Sequence, residues 1–121
     1  MSDDPQMAIV NRLFEANLGT GEVFTVYLGD RLGFYRALLD GAMTAGELAS
    51  AAETDERATR EWLEQQAAAG YLTVDDPQAD PDERRYDLPD EHRAVLVDEL
   101  DPAYLMPLAD ATVAMLRHLR A

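Results

Sequence analysis

Apolar residues recur at spacings of three and four along the first third of the chain, which is the period of an α-helix. In the first segment these positions are Met7, Val10, Phe14 and Leu18. They predict a helix over Gln6–Leu18 that ends at Gly19–Gly21, because glycine relieves left-handed strain beyond a helix end.

A second helix is predicted over Glu22–Asp40. Its apolar face is formed by Leu28, Leu32, Tyr35 and Leu39. Gly29 and Gly33 lie four residues apart in it, so another helix can approach this backbone closely.

Two helix starts with side-chain caps follow. Thr44 and Glu47 have the spacing of a capping box, in which each side chain bonds the backbone N–H of the other residue. Thr54, Asp55 and Glu56 offer a second cap, with acidic groups in the first turn. The helix after it ends at Gly70 and places Trp62 and Leu63 in the core. Two short helices joined by a tight turn predict a helix-turn-helix.

Beyond Gly70 the pattern changes from the helical period to that of strands. Tyr71–Val74 and Arg85–Leu88 predict two strands, separated by an acidic, proline-containing loop over Asp75–Arg84. This order of elements is that of a winged helix. Helices are predicted over Glu91–Leu100 and Ala103–Arg120, and Pro107 falls in the first turn of the latter, where it is tolerated. The apolar face of the last helix is Leu105, Leu108, Thr112, Met115 and Leu119.

The predicted fold is therefore mainly α: a winged helix-turn-helix with a two-stranded wing and extra helices at both ends. Its parts are an amino-terminal helix at residues 1–21, the winged helix at 22–100, and a carboxy-terminal helix at 101–121. The two terminal helices carry apolar faces that a minimal winged helix does not need. Because such faces usually meet another chain, we expect a homodimer built on the terminal helices.

The composition makes the chain strongly acidic. The 24 acidic residues outnumber the 10 basic ones, all of them arginine, and give a formal net charge of −14. GC-rich codon usage and adaptation to high intracellular salt are both compatible with this composition. Cysteine is absent, the amino terminus is acidic where a signal peptide would be basic, and no apolar run is long enough to span a bilayer. These features predict a cytoplasmic protein without a membrane partner.

The sequence contains no candidate catalytic, cofactor-binding or metal-ligating residue. His92 and His118 lack the spacing of a metal-binding pair and are expected to face solvent. The acidic residues of the wing do not have the spacing of an EF-hand. Gly19 and Gly21 lie between two predicted helices, whereas a phosphate cradle follows a strand.

Binding to DNA is the rival function for a helix-turn-helix. The predicted recognition helix and its cap (53–64) hold five acids against Arg57 and Arg60, and the wing holds five against Arg84 and Arg85. Net negative charge on both elements disfavours phosphate contact. The four arginines nevertheless leave open a small basic patch, and with it a stand-alone winged-helix transcriptional regulator.

Several segments resemble the amino-terminal domain of bacterial and archaeal SAM-dependent methyltransferases. They are Thr25–Leu38, Thr44–Ala49, Arg60–Leu72, Tyr86–Pro89 and Glu91–Leu96. The resemblance implies a winged-helix module that mediates dimerisation and helps to close a substrate pocket, next to a Rossmann-like domain that binds S-adenosylmethionine. The glycine-rich motif of that catalytic domain does not occur in this sequence. The chain is therefore expected to be either a fragment of a methyltransferase or a stand-alone relative, and a small-ligand sensor is a further alternative.

Overall fold

The computed structural model describes residues 4–120 and, within that range, every side chain except those at 116, 117 and 120. The described residues form six α-helices and one two-stranded sheet. The helices are α1 (Pro5–Arg31), α2 (Phe34–Ala37), α3 (Ala45–Ala52), α4 (Glu56–Ala69), α5 (Asp90–Leu96) and α6 (Met106–Arg120). The strands are β1 (Thr73–Val74) and β2 (Tyr86–Asp87), and a 3₁₀ turn spans Leu38–Asp40. The predicted winged helix-turn-helix fold is confirmed.

The predicted break at Gly19–Gly21 is wrong, because α1 continues through both glycines to Arg31. A glycine inside a helix costs only about 1 kcal/mol relative to alanine, which is too little to end a helix by itself. The chain turns instead at Gly33, whose φ of 77° is left-handed. The predicted helix over Glu22–Asp40 is therefore divided between the end of α1, α2 and the 3₁₀ turn. Its buried face also differs from the prediction, since Phe34 and Leu38 are buried and Leu32 is exposed.

Both predicted helix caps are present. The Thr44 Oγ1 atom accepts from the Glu47 backbone N–H at 3.2 Å, and the Glu47 Oε1 atom accepts from the Thr44 N–H at 2.9 Å. Asp55 caps α4 by accepting from the Ala58 N–H at 2.9 Å. Gly70 ends α4 in a left-handed conformation with φ of 90°. The local sequence thus determines where α3 and α4 begin and where α4 ends.

The wing is a short antiparallel hairpin in which Thr73 pairs with Asp87 and Val74 with Tyr86. Each strand is two residues long, shorter than predicted, because the hairpin opens into the acidic loop directly after Val74. Tyr86 also pairs with Met43, just before α3, through two backbone hydrogen bonds of 3.0 and 2.8 Å. This bridge fixes the wing against the helix-turn-helix.

The core lies between α2, the helix-turn-helix, β2 and the start of α6. Its aromatic centre is Trp62 of α4, whose ring centroid lies 4.6 Å from that of Phe34 and 5.3 Å from that of Tyr35. Leu38, Leu48 and Leu63 are completely buried around it. α5 ends at Leu96 and α6 begins at Met106, so both helices are shorter than predicted on the side facing the intervening loop.

Candidate functional site: the apolar surface of the terminal helices

The first half of α1 is an apolar helix that no element covers among the described residues. We call residues 5–18 of α1 the arm; all of them are exposed. Its large apolar side chains are Met7, Ile9, Val10, Leu13, Phe14 and Leu18. Leu13 and Phe14 keep 64% and 65% of their surface exposed. At 100° per residue these six side chains cover about half of the helix circumference, while Asn11, Arg12 and Glu15 lie on the remaining side.

The outer face of α6 is also apolar and exposed. The predicted stripe of Leu105, Leu108, Thr112, Met115 and Leu119 is found here, and each of these residues is exposed in the single chain. The side of α6 that packs inward instead presents Met106 and Ala109, which are buried. The spacing of the stripe therefore identified an apolar face correctly, but that face is not part of the core of this chain.

A groove runs between α1 and α6. On the α1 side it is lined by Thr20, Val23, Phe24 and Tyr27, and on the α6 side by Ala109, Thr112 and Val113. Its volume is about 310 Å³ and its walls are almost entirely apolar. Near Met106 the groove region continues towards a smaller hollow that also contacts Val26, Val95 and Leu96. The arm, the groove and the outer face of α6 are the three apolar surfaces of the terminal helices.

The second half of α1 is held by a network of hydrogen bonds with α4. Trp62 Nε1 donates to the Thr25 carbonyl at 2.9 Å, and Gln66 Nε2 donates to the Thr25 hydroxyl at 3.1 Å. The fully buried Gln66 also accepts a hydrogen bond from the Tyr35 hydroxyl through Oε1. We call residues 22–31 of α1 the anchored half. Because buried polar groups are costly unless paired, this network fixes the anchored half in one position.

Close packing reinforces this attachment at Gly29. A Cβ atom at this position would lie 2.6 Å from Cε2 of Tyr35 and would also overlap Trp62. The close approach predicted from Gly29 is therefore present, with α4 as the partner. At Gly33 a Cβ atom would meet nothing within 4 Å, so that glycine is needed for its left-handed backbone alone.

Ionisable groups near the anchored half have shifted pKa values with clear causes. Burial, followed by the charge of Asp110, raises the pKa of Asp30. The Tyr71 hydroxyl donates to Glu22 Oε1 at 2.6 Å, and this hydrogen bond raises the pKa of Tyr71 to about 12. The Tyr71 hydrogen bond joins α1 to the segment that follows α4.

The four arginines of the recognition helix and the wing all lie next to carboxylates. Arg60 is 3.3 Å from Asp82, Arg84 is 3.8 Å from Glu64, and Arg85 is 3.2 Å from Glu47. Arg57 pairs within its own helix with Glu61 at 3.5 Å. Three of these pairs connect the wing region to the helix-turn-helix. The small basic patch left open by the sequence is therefore divided among four ion pairs.

The histidines and the acidic loop have structural positions. His92 is half-buried, contrary to the prediction, because its Nδ1 atom lies 2.8 Å from the Tyr71 carbonyl; His118 is exposed. Asp75 accepts from the backbone N–H groups of Arg85 and Asp76 at 2.9 and 2.7 Å, and these bonds lower its pKa. Among residues 4–120, no group of three or more histidines or acids is arranged to hold a metal ion.

No helix within residues 4–120 combines the length and the apolar content needed to cross a bilayer.

The hydrogen-bond network around Gln66 was not predicted from the sequence, because its partners Tyr35 and Thr25 are 31 and 41 positions away. The one available signal was Gln66 itself, a polar residue one helical turn from Trp62 and Leu63 on a buried helix face.

Comparisons with known proteins identify the fold of this chain. A family model described as the Rv2258c-like winged HTH domain matches residues 23–98. No curated protein matches the chain significantly. A solved structure of PigF with SAH is 26% identical with a TM-score of 0.69, over 98% of this chain and 35% of that one.

Two further solved structures place the same fold in methyltransferases. CalO1, a methyltransferase in calicheamicin biosynthesis in its SAH-bound form, is 26% identical with a TM-score of 0.57, over 84% of this chain and 28% of that one. The mitomycin 7-O-methyltransferase MmcR shares the fold at 21% identity and a TM-score of 0.64, over 93% of this chain and 34% of that one. The chain thus spans about a third of the length of these structures.

Proposed function

The chain belongs to the family of Rv2258c-like winged HTH domains, and from this membership we propose that it is the non-catalytic module of a SAM-dependent methyltransferase. The observation that carries the proposal is the likeness to PigF along 98% of this chain. The comparison covers only 35% of PigF, so the catalytic domain would be supplied by the rest of a longer parent protein.

S-adenosylmethionine would bind in that other domain, because the residues described here do not fit it. Binding this cofactor on a Rossmann-like domain takes a glycine-rich turn between a strand and a helix, together with a carboxylate for the ribose. The strands in the described part of the chain are two residues long and belong to the wing, and the grooves beside α1 are almost entirely apolar. The contribution of this module would be to position the substrate and the second subunit.

We further propose that the apolar surface of the terminal helices forms a homodimer interface. Monomeric proteins rarely leave contiguous apolar patches of more than a few hundred Å² in water, and the arm exposes six large apolar side chains in a 14-residue segment. A second copy would bury the arm against the groove and against the outer face of α6. In the same assembly, apolar side chains of this module would line one side of a substrate pocket and help to close it.

The dimer is tested by sedimentation of the protein and of two matched variants. Leu13→Asn/Phe14→Asn removes apolar side chains from the arm, whereas Arg12→Asn/Glu15→Asn introduces the same residues on its polar side and leaves the net charge unchanged. Loss of two buried side chains, each contributing about 1.5–3 kcal/mol, should weaken the first variant's dimer at least about 100-fold. The second variant should remain dimeric. A native protein that is monomeric at high micromolar concentration would refute the interface.

The methyltransferase assignment is tested separately in the source cells. An antibody raised against this domain should recognise a protein several times heavier than 13.4 kDa. The captured protein should transfer a labelled methyl group from S-adenosylmethionine to an acceptor in an extract. A band at 13.4 kDa without methyl transfer would show that the domain functions alone.

A further inference from the structure

Two glycines lie where the exposed arm of α1 meets its anchored half. Residues 4–24 are exposed, whereas residues 25–30 are half-buried or buried. Thr20 is the first residue of α1 to line the groove with α6, and Glu22 is the first to bond another element, through Tyr71. Gly19 and Gly21 therefore flank the position at which tertiary contact begins.

Nothing in the packing of the straight helix requires glycine at these two positions. A Cβ atom at Gly19 or at Gly21 would meet no other group within 4 Å. The other glycines of the turns and caps are accounted for, since Gly33, Gly41 and Gly70 have positive φ values and Gly29 admits the rings of Tyr35 and Trp62. Among the three glycines of α1, Gly19 and Gly21 are thus the two that neither close packing nor a left-handed backbone explains.

Each of these glycines weakens the helix about fivefold relative to alanine. The two together reduce the preference for a continuous helix about 25-fold, and no described group packs within 4 Å of a Cβ atom at either position. Sharp bends in helices occur at such sites. Glycines two positions apart lie about 160° from each other around the helix axis, so bending is not restricted to one side.

We propose that Gly19–Gly21 is a hinge at which the arm, itself helical, changes its direction relative to the anchored half of α1. The anchored half cannot follow this motion because Thr25 and Gly29 hold it against α4. In the proposed dimer, the hinge would let the arm stay packed on the second copy while the winged helix moves to open or close a substrate pocket. That use rests on the proposed function, whereas the hinge itself does not.

The hinge is tested by measuring distances between spin labels. The chain has no cysteine, so labels attach only at introduced positions. Asn11→Cys on the arm and Ser50→Cys on α3 report the direction of the arm. Ser50→Cys and Ala68→Cys, both exposed on α3 and α4, form the control pair. Labelled protein is diluted with excess unlabelled protein, so that only distances within one chain are observed.

The arm pair should give a broad or double distance distribution, and Gly19→Ala/Gly21→Ala should narrow it to the single distance of the straight helix. The control pair should give the same narrow distribution in both proteins. An arm distance distribution that is already narrow with glycine present, or that stays broad with alanine, would overturn the hinge.

Hydrogen exchange in the dimer provides a second check. Amides 8–16 should be protected, and exchange at the rate of an unstructured peptide would show that the arm unfolds and would also overturn the proposal. Sedimentation of the same samples reports the dimer independently of the hinge.

Discussion

Gly29→Ala adds one methyl group at the tightest contact between α1 and the core. The new Cβ atom would lie 2.6 Å from Cε2 of Tyr35 and would overlap Cζ2 of Trp62. Carbon atoms pack favourably at about 3.5–4.0 Å, so the rings or the helix must move by about 1 Å. The rings are poorly placed to move, because Trp62 is bonded to the Thr25 carbonyl and Tyr35 to Gln66.

The expected loss of stability can be worked out from two opposing terms. Overpacking of a filled core costs about 1–3 kcal/mol, and two ring contacts with fixed partners place Gly29→Ala at the upper end. Alanine inside a helix returns about 1 kcal/mol. We therefore expect the free energy of unfolding to fall by about 2 kcal/mol, a large part of the roughly 5–15 kcal/mol typical of a domain.

Urea unfolding followed by the fluorescence of Trp62, the one tryptophan, measures this loss at a fixed protein concentration. Gly21→Ala is the matched control, since it makes the same change in the same helix where a Cβ atom meets nothing within 4 Å. It should leave the midpoint unchanged or raise it. If Gly29→Ala unfolded at the same urea concentration as the original protein, with the same slope, the close approach would not be a constraint and the reasoning would be wrong.

Three further predictions concern the caps, the wing and nucleic acid. Thr44→Ala removes the capping box of α3 and should lower the free energy of unfolding by about 1 kcal/mol, whereas Ser50→Ala, at an exposed position of the same helix, should leave it nearly unchanged or raise it slightly. The Asp75 carboxylate has a lowered pKa, so its contribution to stability is present above its unfolded pKa of about 3.9 and is lost as the pH falls below it. The difference in unfolding free energy between the original protein and Asp75→Asn should therefore be larger at pH 7 than at pH 3. Finally, the protein should give no gel shift with duplex DNA even at low salt, and a salt-sensitive shift weakened by Arg60→Ala would instead support the regulator.

The helix-turn-helix could be predicted from the sequence because its signals are local. A cap such as Thr44 with Glu47 involves residues three apart, and its geometry depends little on the rest of the chain. The end of α4 at Gly70 is local in the same way. The wing loop could also be predicted from its composition, because acidic residues and prolines favour an exposed loop.

The course of α1 could not be predicted, because it depends on contacts that are distant in sequence. Gly19 and Gly21 look like a helix end to any local rule, and only the attachment of Thr25 to Trp62 and Gln66 shows where α1 is fixed. The outer face of α6 illustrates a related limit. Periodicity shows that Leu108 and Met115 share a face, but it does not show whether the covering surface is in the same chain.

The charges of the winged helix support a role in association over one in reading DNA. Exposed ion pairs such as Arg60–Asp82 contribute at most about 1 kcal/mol each to stability, so their main consequence is electrostatic. A phosphate approaching Arg60 or Arg84 must compete with a carboxylate 3.3 or 3.8 Å away, in the field of a chain whose net charge is −14. A second copy of this chain also meets that repulsion, but burying the arm releases water and separates none of the ion pairs found among the described residues. The terminal helices are therefore the surface on which this domain has the most free energy to gain from a partner.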